Sequence, residues 1–321
     1  MIVSMKPPYD ITPKILKLIS SISQKLGEVN ANYLSKQSPQ LRKQNRIKTI
    51  HSSLQIEGNT LTEEQITALI ENKRVVGPKK DVLEVLNAIK VYENLKQYNS
   101  ISEKSFLKAH KGLMFGLINN SGKYRMQGVG IVKGTKLEHV APSYKNVPYL
   151  MKDLFEYLKN TDELTLIKSC VFHYEMEFIH PFIDGNGRMG RLWQTLILMS
   201  EYPIFEFLPF ETLISETQKE YYKSLAMSDK SGKSTFFIEY MLFVINASLE
   251  SVLTYKNRIL KDMDRLEYFV TLGKKFFTRK DYMNVFKNLS SATASRDLKK
   301  GVELNIFEST GNKNKTEYIL K

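Results

Sequence analysis

The stretch His180-Pro181-Phe182-Ile183-Asp184-Gly185-Asn186-Gly187-Arg188-Met189-Gly190-Arg191 joins two strongly apolar segments, residues 163–179 and 188–199, which read as buried helices. Gly185 and Gly187 let the backbone turn sharply and aim several N–H groups at one point. The turn opens the second helix, so the positive end of its dipole faces that point too. Such a place favours an anion, and phosphate is the commonest guest. Arg188 and Arg191, three residues apart, lie on one helix face. Two guanidiniums there suit a polyphosphate better than a single phosphate. Asp184 is a hard oxygen ligand, and Mg²⁺ takes one or two carboxylates beside substrate phosphates. His180, at the far end of the turn, is the natural general base for an attacking hydroxyl near neutral pH. A glycine turn alone means little. A histidine, an aspartate and two arginines at these offsets are hard to explain as packing.

Upstream, helical apolar spacing predicts helices over residues 11–34 and 40–56. Gly58 and Asn59 end the second of these, and a capping signal at Thr60 or Thr62 starts the next. A further helix is predicted over residues 81–98. From Val129 to Val140 the chain reads as a hairpin, with Gly134-Thr135 as its tight turn. About eight or nine helices and one hairpin make up this part. Residues 236–265 read as a long helical connection. Beyond it come helices over 278–286 and 291–303, then two strands, 306–309 and 316–320, around a turn at Gly311-Asn312. Helix, helix, hairpin is the layout of a winged helix.

Ser53 and Glu57 are four residues apart on the 40–56 helix and its end, so both face one way. A carboxylate there opposes the helix dipole unless it has a partner. By position alone, Glu57 reads as a solvated side chain before a glycine cap.

The 321 residues suggest one large domain and a smaller one, long enough to bury a core without a structural metal or disulfide. The single cysteine, Cys170, lies in an apolar run and excludes an internal disulfide or a cysteine-rich metal site. His173 reads as a core histidine, Trp193 as core, and His51, His110 and His139 show no ligand spacing. No segment reads as a signal peptide or membrane span, so a soluble cytoplasmic protein without a membrane partner is expected. Of the net charge of +13, residues 255–321 carry +7, with 15 Lys and Arg against 8 Asp and Glu. This hints at an acidic partner. Arg296, Lys299 and Lys300 would be exposed on a helix capped by Ser291, with Leu298, Val302 and Leu304 facing a small core.

The twelve-residue stretch resembles the signature of the Fic family, H-x-F-x-D/E-G-N-G-R-x-x-R, at every fixed position: His180, Phe182, Asp184, Gly185, Asn186, Gly187, Arg188 and Arg191. Gly122-Lys-Tyr-Arg125 and the hairpin end Val140-Ala-Pro-Ser143 are similar too, as is the helical plan over residues 40–250. The resemblance implies an all-α Fic fold, a helical core with a small β-hairpin flap, plus a C-terminal winged-helix domain. The corresponding divisions are 1–100, an N-terminal helical region with an inhibitory helix; 101–250, the core; and 251–321, the winged helix. It implies transfer of AMP from ATP to a Ser, Thr or Tyr hydroxyl of a target protein. His180 would be the base, and Phe182 would fix the loop. Asp184 would hold Mg²⁺, and Gly185, Asn186 and Gly187 would cradle the α- and β-phosphates. Arg188 would reach the β-phosphate, and Arg191 the γ-phosphate. The flap from Val129 to Val140 would dock the target by strand addition. The segment from Ser53 to Gly58 resembles the family's inhibitory pattern S/T-x-x-x-E-G/N, which implies that Glu57 takes Arg191 from the γ-phosphate. Three further readings stay open: a DNA-binding regulator with an ATP-sensing core, an enzyme that removes AMP, and a homodimer.

Overall fold

The computed structural model describes residues 6–33, 39–133, 136–257, 262–286, 289–311 and 316–320. They form two compact units, Met1–Leu253 and Thr254–Lys321.

In the first unit, ten α-helices precede residue 235 among the described residues: α1 (Pro13–Tyr33), α2 (Pro39–Ile56), α3 (Glu63–Ile70), α4 (Lys79–Glu93), α5 (Glu103–Leu113), α6 (Val147–Asn160), α7 (Thr165–Ile179), α8 (Asn186–Met199), α9 (Phe210–Glu216) and α10 (Gln218–Ser231). The helices predicted over 11–34, 40–56 and 81–98 correspond to α1, α2 and α4, although Leu34 lies outside the described residues. Short α9 and α10 were not legible as separate helices. Period-3.6 spacing buries Ile15, Ile22 and Leu26 of α1, and Ile47, Ile50 and Leu54 of α2, in one continuous core. Thr62, the second of the two expected caps, accepts the Gln65 N–H, and the Gln65 side chain returns a bond to the Thr62 N–H.

Strands β1 (Gly130–Lys133) and β2 (Lys136–Val140) pair antiparallel, as the hairpin reading required, with an irregularity between Ile131 and Val132. The expected turn at Gly134-Thr135 lies outside the described residues. Helix α11 (Thr235–Asn257) contains the stretch Thr235–Leu253, long and apolar enough to cross a membrane by length and composition, with mean hydropathy 1.5 and half of it buried. Phe237, Met241, Val244 and Ile245 place it in the core of this unit.

The second unit holds α12 (Asp262–Thr271), β3 (Phe276–Thr278), α13 (Arg279–Val285), α14 (Ser291–Glu303), β4 (Phe307–Thr310) and β5 (Glu317–Leu320). Its antiparallel sheet has the order β3-β5-β4. Strand β3 was not read from the sequence: three residues are too short for a periodic signal. The expected turn residue Asn312 and the 258–261 part of the long helical connection lie outside the described residues. Leu266, Phe269, Phe277, Tyr282, Leu298 and Phe307 form this unit's own core. Three readings of α14 need correction. Ser290, not Ser291, caps it. Leu304 is exposed rather than core-facing, because it falls one residue past the last helical turn. Lys300 is half-buried and pairs with Asp262 at 2.7 Å, so Arg296 and Lys299 alone of the three are exposed. The sequence also gave no sign that buried Asp297 receives Arg265 through Nε at 2.6 Å and Nη2 at 2.8 Å.

Candidate active site

Helices α7 and α8 pack along each other, and the loop between them begins at His180 and ends at Gly185. His180 caps α7 in the left-handed region, φ 50° and ψ 62°, where histidine is one of the few side chains found with any frequency. Its own N–H donates to Met176 C=O at 3.0 Å. Gly185, φ +89°, is the other left-handed residue of the loop, and a Cβ there would meet Met114 Sδ at 2.8 Å. Glycine is required at 185 on both counts.

Asn186 is the first residue of α8, on the turn itself. Its side chain folds back on the loop: Oδ1 accepts the Phe182 N–H at 2.9 Å, and Nδ2 donates to Phe182 C=O at 3.0 Å. Helix α8 starts without a side-chain cap, because its N-cap residue is Gly185. The N–H groups of Asn186, Gly187 and Arg188 have no intrahelical acceptor and sit at the positive end of the dipole. Backbone N–H groups, not the Asn186 amide, are what this turn can offer an anion.

Arg188 is buried and held from two sides, by Asp184 Oδ1 at 2.8 Å and by Glu84 Oε1 at 3.1 Å. Its Nε has no partner among the described residues. Glu84 is also buried, and its second oxygen accepts the Asn59 side-chain N–H at 2.8 Å. Asp184 is 43 % exposed, with Oδ1 taken by the Gly185 N–H and by Arg188. Among the described residues, no group of three or more His, Cys, Asp and Glu could hold a metal. A lone carboxylate beside an anion site is nonetheless the donor set Mg²⁺ takes when phosphates and water complete its shell. The residues fit that ion on those terms only.

Arg191, fully buried, is enclosed by the end of α2. Its Nε donates to Ser53 Oγ at 3.1 Å, and Nη2 donates to Ser53 C=O at 2.8 Å and Glu57 Oε1 at 2.7 Å. Nη1 has no partner. Burial pulls the guanidinium pKa down, but Glu57, with Tyr221 and Glu177, more than offsets this and holds it above the usual arginine value. Glu57 is placed by its turn. Asn59 N–H bonds Leu54 C=O at 3.1 Å, and Gly58 N–H bonds Gln55 C=O at 2.9 Å, with Gly58 at φ +88°. This six-to-one and five-to-two pairing closes the helix with Glu57 as its last half-helical residue. The carboxylate comes so near Gly187 that a Cβ at 187 would collide with it. The reading of Glu57 as merely solvated, which position alone favoured, gives way to the pairing with Arg191 at 2.7 Å, with the side chain 28 % exposed.

Helices α9 and α10 hold α2 in this place. Ser52 Oγ meets Thr212 Oγ1 at 3.1 Å, Ser215 Oγ donates to Gln55 at 2.9 Å, and Gln218 Nε2 donates to Ile56 C=O at 2.8 Å. Glu211, fully buried at the start of α9, contacts Thr195 Oγ1 at 3.4 Å and has an unpartnered Oε2. Burial pushes its carboxyl up to about 8, against the pull of Arg191. Folded Glu211 therefore keeps a proton that the unfolded chain has already lost. Its contribution to stability is present at low pH and is lost as pH rises toward 8. Between about pH 6.5 and 8 that loss is about 2 kcal/mol. Glu211→Gln, which cannot ionise, is expected to remove the slope in thermal melts across this window; an unchanged slope would contradict the assignment.

Three residues the sequence did not single out complete the site. Arg125, within the quoted Gly122-to-Arg125 piece, gathers four carbonyls: His180 at 2.8 Å, Gln127 at 2.9 Å, Pro142 at 2.5 Å and Ile179 at 3.3 Å. It thereby ties the exit of the hairpin to the start of the loop. Glu84 is the second, and His110 the third. The expected core histidine, His173, is buried between Gln194 Oε1 at 2.6 Å and Tyr221 OH at 3.1 Å, and burial lowers its pKa to about 3. Cys170 is buried, its thiol pushed up to about 12 by desolvation.

The family model described as the Fic/DOC family matches residues 100–198. The crystal structure of a Fic family protein from Desulfovibrio desulfuricans G20 is 40% identical in sequence, with a TM-score of 0.77, and the alignment covers 99% of this chain and 98% of that one. The chain belongs to the Fic family. Its helical core and two-stranded hairpin are the all-α Fic fold with its small sheet. Residues 134–508 of Fic-1 from C. elegans share that fold at 23% identity, with a TM-score of 0.62 over 75% of this chain and 72% of that one. Among curated relatives, "Protein adenylyltransferase fic-1" of Caenorhabditis elegans is 27% identical over 247 residues, 73% of this chain and 46% of that protein. "Protein adenylyltransferase Fic" of Drosophila erecta is 32% identical over 167 residues, 48% of this chain and 32% of that protein. The Fic chain described here thus spans less than half the length of either.

Proposed function

We propose that this protein is a self-inhibited adenylyltransferase that moves AMP from Mg-ATP to a Ser, Thr or Tyr hydroxyl of a target protein. The observation that carries the reading is the Glu57 carboxylate on Arg191 at 2.7 Å, pressed against Gly187 of the phosphate turn. A buried arginine at an uncapped helix start is a triphosphate ligand in want of an anion, and here a carboxylate of the same chain supplies one. The names of the curated relatives support the chemistry.

In the active form, Arg191 turns from Glu57 to the γ-phosphate, and Arg188 and the α8 N–H groups hold the β- and α-phosphates. Mg²⁺, held by Asp184, would neutralise charge on the phosphate oxygens. His180 takes the proton of the target hydroxyl. The hydroxyl oxygen bonds to the α-phosphorus as the bond from that phosphorus to the bridging oxygen breaks, and pyrophosphate leaves. Arg125 keeps the His180 backbone in register with the flap, whose open strand edge docks the target main chain.

The test is positional labelling of ATP with the Glu57→Gly variant. Label on the α-phosphate is expected to enter protein, and label on the γ-phosphate to stay in solution. Entry of the γ-label would sink the reading, because it means phosphoryl rather than adenylyl transfer.

A further inference from the structure

Helix α5 sends two aromatic rings toward the loop, Phe106 and His110, four residues apart. Phe182 stacks on both, with centroids 5.4 Å from Phe106 at 27° and 3.6 Å from His110 at 4°. His110 is fully buried, and both of its nitrogens are engaged. Gly122 N–H donates to Nδ1 at 2.8 Å, so Nδ1 carries no proton. The proton is then on Nε2, 3.0 Å from Asp184 C=O, which it donates to. Burial pulls the ring's pKa down to about 4, so it is neutral at physiological pH. Nothing here lets His110 serve as a base or a metal ligand. Its Nε2 also lies 3.4 Å from the point where a Cβ on Gly185 would stand, beside the left-handed turn.

We infer that His110 is a positioning residue for the transfer reaction: through Asp184 C=O it fixes the peptide that aims the Asp184 carboxylate and opens α8, and through Gly122 it ties that peptide to the segment bearing Arg125. The inference rests on the phosphate turn being the nucleotide site. One ring therefore couples the metal-binding carboxylate, the α8 N–H groups and the arginine that anchors His180. The polar links do this, while the stack on Phe182 sets the height of the ring.

Two near-isosteres separate the links. His110→Gln can place an amide N–H where Nε2 stands and keep the bond to Asp184. His110→Asn can place its carbonyl where Nδ1 stands and keep only the bond to Gly122. Both lose the ring. They are compared in the Glu57→Gly background by kcat and KM for ATP, by the Mg²⁺ concentration for half-maximal rate, and by amide hydrogen exchange over residues 180–191 without nucleotide. A positioning role predicts that Asn lowers kcat and raises the Mg²⁺ requirement by about tenfold or more and that Gln, which loses only the Gly122 link, does so clearly less, since small misplacements of reacting groups are costly. It also predicts that exchange at Gly185 and Gly187 quickens in the Asn variant alone. Equal losses in both variants, or exchange that quickens evenly along the chain, would overturn the inference in favour of packing. Should the parent variant transfer no AMP, the proposed function fails, and the exchange comparison still decides the role of His110.

Discussion

Glu57→Gly is expected to raise AMP incorporation, into targets and into the protein itself, by an order of magnitude or more. The size follows from what the carboxylate does. Arg191 is fully buried, and Glu57 is its one anionic hydrogen-bond partner among the described residues. A hydrogen bond between charged groups is worth about 1.5–3 kcal/mol net. Releasing Arg191 therefore shifts the balance between paired and freed forms by roughly tenfold to a hundredfold. Partial exposure of Glu57, 28 %, argues for the lower part of that range. Ser53 keeps two bonds to Arg191 in the variant, so the guanidinium is retained near its place and not lost into the core. Removing Glu57 also deletes the side chain that crowds Gly187 and clears the approach of the γ-phosphate. A timed assay with α-labelled ATP measures the gain; equal rates in wild type and variant would remove the brake from the account.

The second large effect lies at His180. Loss of a general base typically lowers rate 10²–10⁴-fold. In the Glu57→Gly background, His180→Ala is expected to lower kcat by about that factor and to leave ATP affinity intact, because the proposed function has α8 and its arginines hold the triphosphate. The left-handed backbone at 180 calls for a control. Asn tolerates that conformation better than Ala and cannot act as a base. His180→Asn should therefore match His180→Ala in kcat. If the Asn variant kept full activity, the base assignment would fail; if both variants lost ATP binding, the histidine would have a binding role instead.

Most of this site was legible in the chain because its parts are local. The loop residues lie within twelve positions, and Ser53, Glu57 and Gly58 within six, so spacing alone sets their faces. The capping at Thr62, the hairpin register and the core stripes of α1 and α2 are likewise set by near neighbours. What stayed hidden is long-range. His110 meets Asp184 across 74 positions, and Arg188 meets Glu84 across 104, so no periodicity joins them. His110 was dismissed for want of ligand spacing, which was correct as far as it went; its task is to hold backbone groups. Spacing also could not show that the Asn186 amide is spent on the two backbone groups of Phe182, which leaves its backbone N–H for the turn. In the second unit, Lys300 counted as an exposed cation until Asp262 was found against it.

The contacts around Glu57 have a further layer that spacing could not reveal. Asn59, two residues past Glu57, bonds Glu84, and Glu84 bonds Arg188. The end of α2 thus touches both arginines of the turn, one directly and one through a relay. Movement of α2 would disturb Arg191 and Arg188 together, which fits a segment whose withdrawal readies the whole triphosphate site.

The most direct test of the central claim is intact-mass spectrometry after incubation with Mg-ATP, run on wild type, Glu57→Gly, and Glu57→Gly with His180→Ala. The account predicts the increment of one or more adenylyl groups on Glu57→Gly, little on wild type and none on the double variant. An unmodified Glu57→Gly protein that still binds ATP, or equal modification of all three proteins, would contradict it.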